Sequence, residues 1–375
     1  MKKNEIIKRY GADPVEMTRT LLAYAGLVED IADKNKRIGL KPNLVTPTPA
    51  DFGATTHPEI VEGIITYLQD NGFQNISIIE GSWVGDKTSE AYEYCGYRTL
   101  CETYGVEFID TQKDSFTEKD CAGMGLHICD RVDEIDYLIN IPVLKGHCQT
   151  KMTCALKNMK GLIPNSEKRK FHTMGLHKPI AHLSQGIHQD FVVIDHICGD
   201  PTFEEGGNPL KTDCVMVAKD PVLVDAYACH LLGLRTEDVP YVGMAEALGS
   251  GSTDLKNARI VVLNDEGRSI RELAGDEDDP YEARFASQRP PLDVAVDIDD
   301  CESCSACFAA LTAALSRMTE DELKQLPRIA IGQGHRGNTG KYGIGNCCRD
   351  FETYIPGCPP DEEDIFQTLK DTFFR

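Results

Sequence analysis

Apolar, β-branched segments alternate along this chain with amphipathic helical segments. HPEIVEGIITYLQDNG (57–72) has apolar residues at helical spacing and a proline near its start, and QNISIIEG (74–81) follows as an apolar strand. Strands that alternate with helices are joined by crossover connections, which predicts an α/β fold with a largely parallel sheet and helices on both faces. The predicted strands are 37–45, 74–81, 106–110, 136–145, 191–197, 215–218 and 258–264, and the predicted helices are 14–32, 57–72, 89–105 and 220–233.

The composition changes after the last of these strands. Residues 265–300 are acidic, contain prolines and show no periodicity, as in GDEDDPYEARFASQRPPLD. The sequence therefore predicts an α/β domain over 1–264, an acidic linker or excursion over 265–300 and a small cysteine-rich region over 301–375.

Net charge and apolar content exclude several classes of partner. The 375 residues carry a formal net charge of −21, so a polyanion would be repelled and nucleic acid is not expected as a partner. No apolar stretch is long enough to span a membrane, and MKKNEIIKRYGADP lacks the apolar segment of a secretory signal. Fifteen cysteines in such a chain indicate a reducing compartment, where thiols serve metals or cores. We predict a cytoplasmic protein.

Six cysteines lie in the last 75 residues, beside glycine and proline. They are Cys301, Cys304 and Cys307 in CESCSAC, Cys347 and Cys348 in GIGNCCRD, and Cys358 in IPGCPP. Consecutive CxxC steps followed by a distant Cys-Pro are typical of iron–sulfur ligation, whereas four-cysteine zinc sites usually have two separated CxxC pairs. The alternative is that these cysteines only pack in a core, as small apolar side chains do. The pattern favours one iron–sulfur cluster, of the 4Fe–4S type, over zinc.

A second candidate site lies in a basic segment of this acidic chain. Residues 141–189 contain eight Lys or Arg and five His but one acid, Glu167. Such an excess predicts an anion site, although a basic face that balances acidic neighbours would give the same pattern. Ligands of parallel sheets bind at the carboxyl ends of strands, where Glu80 and Asp195 are also expected. We predict catalytic roles for Lys145, His147, Lys157 and Asn158, and anion binding by Lys41, Asn43 and Lys160.

GQGHRG (332–337) matches the dinucleotide-binding pattern GxGxxG only superficially. The following residues are too rich in glycine to open a helix, and 38 residues leave no room for a complete βαβ unit. A glycine loop that passes close to the cluster explains this segment better.

Several segments together resemble a known protein family. KPNLV, TTHPEIVEGIITYLQDNG, IIEG, IPVLKGH, KMTCALKNMKGLIP and FVVIDHICGD are similar to the bacterial and archaeal proteins catalogued as domain of unknown function 362. The resemblance covers roughly residues 37–235. It implies an α/β fold of anaerobe-associated proteins that often carry ferredoxin-type motifs and are associated with redox roles. This chain lacks the doubled CxxCxxCxxxCP run of a two-cluster ferredoxin, which leaves one cluster.

IPGCPP is also similar to the cysteine loop of hydrogenase and respiratory-complex small subunits, where that loop ligates a four-iron cluster. These resemblances imply Cys304, Cys307, Cys347 and Cys358 as the ligands, because the families place a GNC and a GCPP cysteine after the CxxC. The rival, more ferredoxin-like set is Cys301, Cys304 and Cys307 with Cys358.

The expected function is cytosolic redox chemistry or electron transfer, with a small anionic substrate or a redox partner protein. Two alternatives stay open. One is a non-redox enzyme, such as an isomerase or ligase acting on a small carboxylate or phosphate, in which the cluster is structural. The other is a binding or maturation protein that carries a metal or cluster. Cysteine ligation by itself does not distinguish these three classes.

Overall fold

The computed structural model describes residues 1–279 and 296–374, which divide into two compact units. Among the described residues, the first unit contains 1–146 and 150–279, and the second contains 147–149 and 296–374. Within these ranges, no helix combines the length and the apolar character that crossing a bilayer requires.

The first unit is organised around a large, mostly parallel sheet. The strands up to residue 274 are β1 Glu5–Tyr10, β2 Ile38–Lys41, β3 Ile76–Glu80, β4 Glu107–Asp110, β5 Phe116–Asp120, β6 Gly125–Cys129, β7 Tyr137–Asn140, β8 Lys145–His147, β9 Lys151–Thr153, β10 Phe191–His196, β11 Cys214–Ala218, β12 Arg259–Leu263 and β13 Ser269–Ala274. Nine of them form the order β13-β12-β1-β11-β10-β7-β2-β3-β4 among the described residues. Only β11 and β13 run against the others. The predicted α/β class and largely parallel sheet are confirmed.

Helices cover both faces of this sheet. Their bounds are α1 Pro14–Ala25, α2 Leu27–Ile31, α3 Pro58–Asp70, α4 Thr88–Tyr94, α5 Tyr97–Tyr104, α6 Ala155–Asn158, α7 Asn165–Met174, α8 His177–Gly186, α9 Pro221–Leu231 and α10 Pro240–Ala247. Successive strand residues point to opposite faces. Ile78 therefore packs with α1, α3 and α5 in one core, while Ile79 packs with α8, α9 and α10 in the other.

Two predicted helices are each divided by a glycine. Gly26 (φ +72°) separates α1 from α2 within 14–32, and Gly96 (φ +80°) separates α4 from α5 within 89–105. Glycine adopts a positive φ without the steric penalty that other residues incur, so the chain turns at these points.

Strand β1 is central in the sheet and was not expected from the sequence. It lies between β11 and β12, yet its sequence EIIKRY contains two basic residues. Lys8 is buried, and its Nζ lies 2.8 Å from the Asp279 carboxylate. A sequence pattern leads one to expect a charged residue at the surface. The strand was therefore not recognised, because Lys8 is instead paired inside the fold.

The predicted linker 265–300 contains regular structure at both of its ends. Ser269–Ala274 pairs antiparallel with β12, and Ile298–Asp300 is the first strand of the second unit. The absence of periodicity concealed these two strands, because backbone pairing with a neighbouring strand does not need an apolar pattern at a sheet edge. The middle of that stretch, 280–295, lies outside the described residues.

The second unit is built on a small parallel sheet. The elements of this unit are β14 Ile298–Asp300, β15 Ile329–Ile331, β16 Tyr342–Ile344, β17 Thr353–Ile355, α11 Ser305–Ser316, α12 Glu320–Leu323 and α13 Glu362–Phe373. The strands pair in the order β14-β15-β16-β17, and every pairing is parallel. Helix α11 connects β14 to β15, and helix α13 follows β17 and packs on α11.

Candidate functional site: a cysteine edge and a basic cleft

The C-terminal cysteines lie at the carboxyl edge of the small sheet. Cys301 follows β14 directly, Cys304 caps α11, and Cys307 lies in its first turn. Cys347 follows β16, and Cys358 follows β17. Parallel strands end at one edge, so residues far apart in the sequence meet there. We call this set of loops the cysteine edge.

Four thiols of the cysteine edge interact with one another. A hydrogen bond from Cys307 is the main cause that lowers the pKa of Cys304, to about 6, and the same bond raises the pKa of Cys307. The charges of Cys358 and Cys347 act on Cys307 as well. These are the four cysteines that the family resemblances imply as ligands.

Arg336 brings a positive charge to this group. Its guanidinium forms a hydrogen bond with the Cys347 side chain, which raises the pKa of the arginine. The charges of Cys358 and Cys304 raise this pKa as well. A guanidinium stabilises thiolates, which are the form in which cysteine binds metals. Arg336 lies in the glycine-rich segment 332–337, so that segment does approach the cysteine edge.

Backbone and amide groups fix the two loops that carry Cys347 and Cys358. The Asn346 N–H donates to the Gly357 carbonyl at 2.9 Å, and the Gly357 N–H donates to the Asn346 side chain at 3.0 Å. Gly345 and Gly357 have φ of +80° and +136°, values that β-carbon-bearing residues rarely adopt. This reciprocal pair holds the two cysteine loops together before any ligand binds.

Cys301 and Cys348 have different surroundings from the other four. The Cys348 side chain is fully buried and its thiol lies 3.6 Å from the Ala330 carbonyl, as a packing residue would. Cys301 is exposed, and after desolvation its pKa is raised by the adjacent acids Glu302, Asp299 and Asp300 rather than by cysteines. The structure thus separates Cys301 from the converging thiols.

A cleft lies at the carboxyl edge of the large sheet, in the first unit. Five of the predicted anion-site residues line it: Lys41, Asn43, Lys157, Asn158 and Lys160. Counting all lining residues, four lysines face two glutamates, which leaves a formal excess of two positive charges. We call it the basic cleft.

The floor of the basic cleft is a buried ion pair. Lys41, at the end of β2, places its Nζ 2.7 Å from Oε2 of Glu80, at the end of β3. The same Nζ donates to the Pro42 carbonyl at 2.7 Å and to Oδ1 of Asn158 at 3.3 Å. Burial lowers the pKa of Lys41, and Glu80 opposes that shift. Lys41 therefore serves mainly to neutralise Glu80 and to orient Asn158.

Lys157 occupies a different wall of the cleft. Its Nζ lies 2.7 Å from Glu204 Oε1, and only 3% of the lysine side chain is exposed. The short helix α6 and the 3₁₀ turn Met159–Leu162 present Lys157, Asn158 and Lys160 from one continuous segment. The lysine–asparagine–glycine stretch thus forms one side of the cleft.

Lys145 does not join the other predicted residues of the first unit. The Lys145 ammonium is fully buried and donates to the carbonyls of Ala54 and Glu204 at 2.5 and 2.7 Å. It does not line the basic cleft, so its predicted convergence there is wrong. Burial lowers the pKa of Lys145 to about 8. His147 is buried and belongs to the second unit, where its Nδ1 accepts from the Gln149 N–H.

Lys168 is a cleft residue that sequence reasoning did not select. It reaches from α7 to donate to the carbonyls of Gly81 and Ser82 at 2.9 and 2.7 Å, just beyond β3. Burial lowers its pKa to about 8, with Lys41 adding to the shift and Glu80 opposing it. It was part of the basic segment, but nothing in the pattern of SEKRK marks one of its three cations as the buried one.

Gly161 is a second missed residue. A β-carbon there would lie 1.9 Å from Glu80 Oε1 and 2.6 Å from Lys41 Cε. Only a residue without a side chain lets the backbone approach the buried pair so closely. The arrangement can hold a small anion against lysines and an amide, above a carboxylate that is already neutralised.

Comparisons with solved structures give weak likenesses. The lactate racemase apoprotein from Thermoanaerobacterium thermosaccharolyticum has a TM-score of 0.36 and 11% identity, over 88% of this chain and 70% of that one. A Thermotoga maritima protein has a TM-score of 0.35 and 13% identity, over 64% of this chain and 60% of that one. Neither likeness is strong enough to carry an argument about function.

The sequence comparisons are more informative. A thylakoid-associated protein of Synechocystis sp. is 24% identical over 249 residues, which are 63% of this chain and 75% of that protein. The family described as domain of unknown function (DUF362) matches residues 38–230, a range that contains every residue that lines the basic cleft. This match spans more than half of the 375 residues. The chain therefore belongs to the DUF362 family.

Proposed function

We propose that this protein is an iron–sulfur protein of the cytosol that acts in redox chemistry or electron transfer, with its cluster in the second unit. The observation that carries the proposal is the convergence of Cys304, Cys307, Cys347 and Cys358 at one edge of the small sheet. Four thiols without disulfide partners, beside an arginine, form a donor set of the kind that iron–sulfur clusters use.

The sequence pattern supports a cluster over a single zinc ion. Two consecutive CxxC steps followed by a distant Cys-Pro are typical of iron–sulfur ligation, whereas four-cysteine zinc sites usually have two separated CxxC pairs. The structure adds that Cys347 and Cys358 act electrostatically on Cys307, so the later cysteines lie near the CxxC step.

The chain's own residues would tune such a cluster. Cys304, Cys307, Cys347 and Cys358 would hold it as thiolates, and Arg336 would place a positive charge beside them. When bound, the cluster supplies one-electron transfer. Cys358 is exposed, so the cysteine edge is open to a partner protein that exchanges electrons.

The basic cleft would bind the small anion. Lys157 is paired with Glu204, as Lys41 is with Glu80. Lys160 and Lys168 would act as point charges, and Asn43 would fix a carboxylate or phosphate by a directional hydrogen bond. Because Lys41 neutralises Glu80, that carboxylate would repel the ligand little.

A second candidate function is non-redox acid–base catalysis on a small carboxylate or phosphate, with a structural cluster. The observation that favours it is Lys168, a buried cleft lysine whose pKa of about 8 suits proton transfer near neutral pH.

Anaerobic purification followed by iron and sulfide analysis tests the proposal. We expect about four irons per chain, loss of most iron in Cys358→Ser, and full iron in the control Cys301→Ser, since both cysteines are exposed but only Cys358 lies with the other thiols. Stoichiometric zinc without sulfide, or full iron in Cys358→Ser, would refute it. A reversible one-electron titration with an accessible potential favours redox function, and its absence favours the non-redox candidate.

A further inference from the structure

His57, Cys198 and Asp51 form a cluster in the first unit, separate from the cysteine edge. His57 immediately precedes helix α3, and its ring Nδ1 lies 2.8 Å from the Asp195 carboxylate. The His57 backbone N–H donates to the same oxygen at 2.8 Å. A carboxylate accepts hydrogen bonds, so Nδ1 carries the proton and Nε2 faces the other members of the cluster.

The three facing atoms have the spacing of metal ligands. His57 Nε2 lies 3.6 Å from Cys198 Sγ and 3.5 Å from Asp51 Oδ1. All three atoms lie within 4.8 Å of one another. Tetrahedral zinc with ordinary bond lengths requires about 3.6 Å between nitrogen and sulfur and about 3.4 Å between nitrogen and oxygen. The two distances from His57 Nε2 agree with these values.

The loops that carry these ligands are tied together. The Asp200 N–H donates to the Gly53 carbonyl at 3.1 Å, which joins the Cys198 loop to the Asp51 loop. Gly53 has φ +86°, and a β-carbon there would lie 2.8 Å from the Asp200 nitrogen and 2.9 Å from the Cys198 carbonyl oxygen. This close backbone approach keeps Asp51 beside Cys198, although the Asp51 side chain is 96% exposed.

We infer that Asp51, His57 and Cys198 form a zinc site with a fourth position open to solvent. Asp195 is 1% exposed and accepts a hydrogen bond from His57 Nδ1. A carboxylate in this position fixes the orientation of an imidazole that binds a metal. Three protein ligands with one open position are typical of zinc that activates a water or binds a substrate atom. Binding would replace the thiol proton of Cys198 and any proton on Nε2.

The same residues invite a rival assignment, in which His57 and Asp195 activate Cys198 as a nucleophile. Asp51 distinguishes the two. A carboxylate within ligand distance completes a metal site, but beside a nucleophilic thiol it disfavours the thiolate by charge repulsion.

The test is zinc and cobalt titration of the full-length, cluster-loaded protein after chelation of loosely bound metal. We expect Asp51→Asn to weaken zinc binding at least about tenfold. Loss of a residue that only hydrogen-bonds a metal ligand already lowers metal affinity by about 10–100-fold. Asp51 is exposed, so this variant should fold. Asp278→Asn is the matched control, because Asp278 is also 96% exposed and lies 3.6 Å from His230. It should bind zinc as the wild type does.

Cobalt locates the site by its thiolate charge-transfer band. The band should vanish in Cys198→Ser and persist in Cys301→Ser, a variant at the cysteine edge that is expected to keep the cluster. Equal zinc affinity in Asp51→Asn and Asp278→Asn, no zinc binding at all, or a band that persists in Cys198→Ser would each overturn the assignment. Rapid alkylation of Cys198 that zinc does not slow would replace it with the nucleophile assignment.

Discussion

The ammonium of Lys41 lies 2.7 Å from the Glu80 carboxylate, and neither side chain is more than 3% exposed. The two residues end neighbouring parallel strands, β2 and β3, so both lie at the same carboxyl edge of the sheet. Glu80 also accepts from the Leu44 N–H at 3.0 Å and the Gly81 N–H at 2.6 Å. The pair therefore organises the two loops that begin the basic cleft.

We predict that Glu80→Gln strongly destabilises the first unit. The change leaves the buried Lys41 without its counter-charge, and breaking a buried pair in this way costs about 3–5 kcal/mol. Urea unfolding measures it. Glu90→Gln is the control, because Lys87 and Glu90 are also 2.7 Å apart but both are exposed, so no measurable change is expected. Equal midpoints for the two variants would contradict the role given to Glu80.

Gly161→Ala should destabilise the same region by overpacking. Its β-carbon would meet Glu80 Oε1 at 1.9 Å, and forcing atoms into a packed site costs about 1–3 kcal/mol. In Gly243→Ala, within α10, the β-carbon meets nothing within 4 Å, and alanine favours the helix, so stability should stay the same or rise by up to about 1 kcal/mol. A Gly161→Ala protein as stable as the wild type would show that the loop can move away from the pair.

Strand ends were a good guide to the basic cleft. Lys41 and Glu80 follow apolar runs of strand length, and parallel strands share one carboxyl edge, so their meeting could be predicted without a structure. The same rule failed for Lys145. A strand-end position says where a residue lies but not which way its side chain turns, and the Lys145 ammonium turns to the Ala54 and Glu204 carbonyls.

Some contacts between distant segments could not be predicted from the sequence. His57 and Cys198 are 141 positions apart, and neither belongs to a ligand motif such as CxxC or HExxH. Lys168 reaches across 87 positions to the Gly81 carbonyl from a helix whose pattern does not single it out. Such contacts depend on how elements pack, whereas the two CxxC steps of CESCSAC can be recognised from local spacing alone.

Anion binding in the basic cleft should weaken as pH rises through about 8. Lys168 titrates at about 8 because burial disfavours its charged form, so above that value the cleft loses a positive charge. The Kd for sulfate, which does not titrate in this range, should rise by up to about tenfold per pH unit above 8. Calorimetry between pH 6.5 and 9.5 measures it.

Two lysine variants test whether Lys168 causes that pH dependence. Lys168→Gln should bind sulfate more weakly at pH 7 and show a flat profile, because it has no charge to lose. Lys211→Gln, which removes a lysine whose side chain is 73% exposed, should keep the wild-type profile. If the profile of Lys168→Gln still bends near pH 8, another group is responsible.

Arg336→Gln should make the proposed cluster harder to reduce. The guanidinium bonds Cys347 and lies within electrostatic range of Cys358 and Cys304, so its positive charge favours the more negative, reduced state of a cluster held there. We expect a more negative midpoint potential with unchanged iron content, measured by potentiometric titration under anaerobic conditions. Arg349→Gln is the matched control, because Arg349 follows Cys348 directly but its side chain is 74% exposed and turns to Asp350. Its potential should match that of the wild type. If both variants shift the midpoint potential equally, the effect comes from the net charge of the protein and not from the position of Arg336. If Arg336→Gln does not shift the potential, the cluster does not lie beside Cys347.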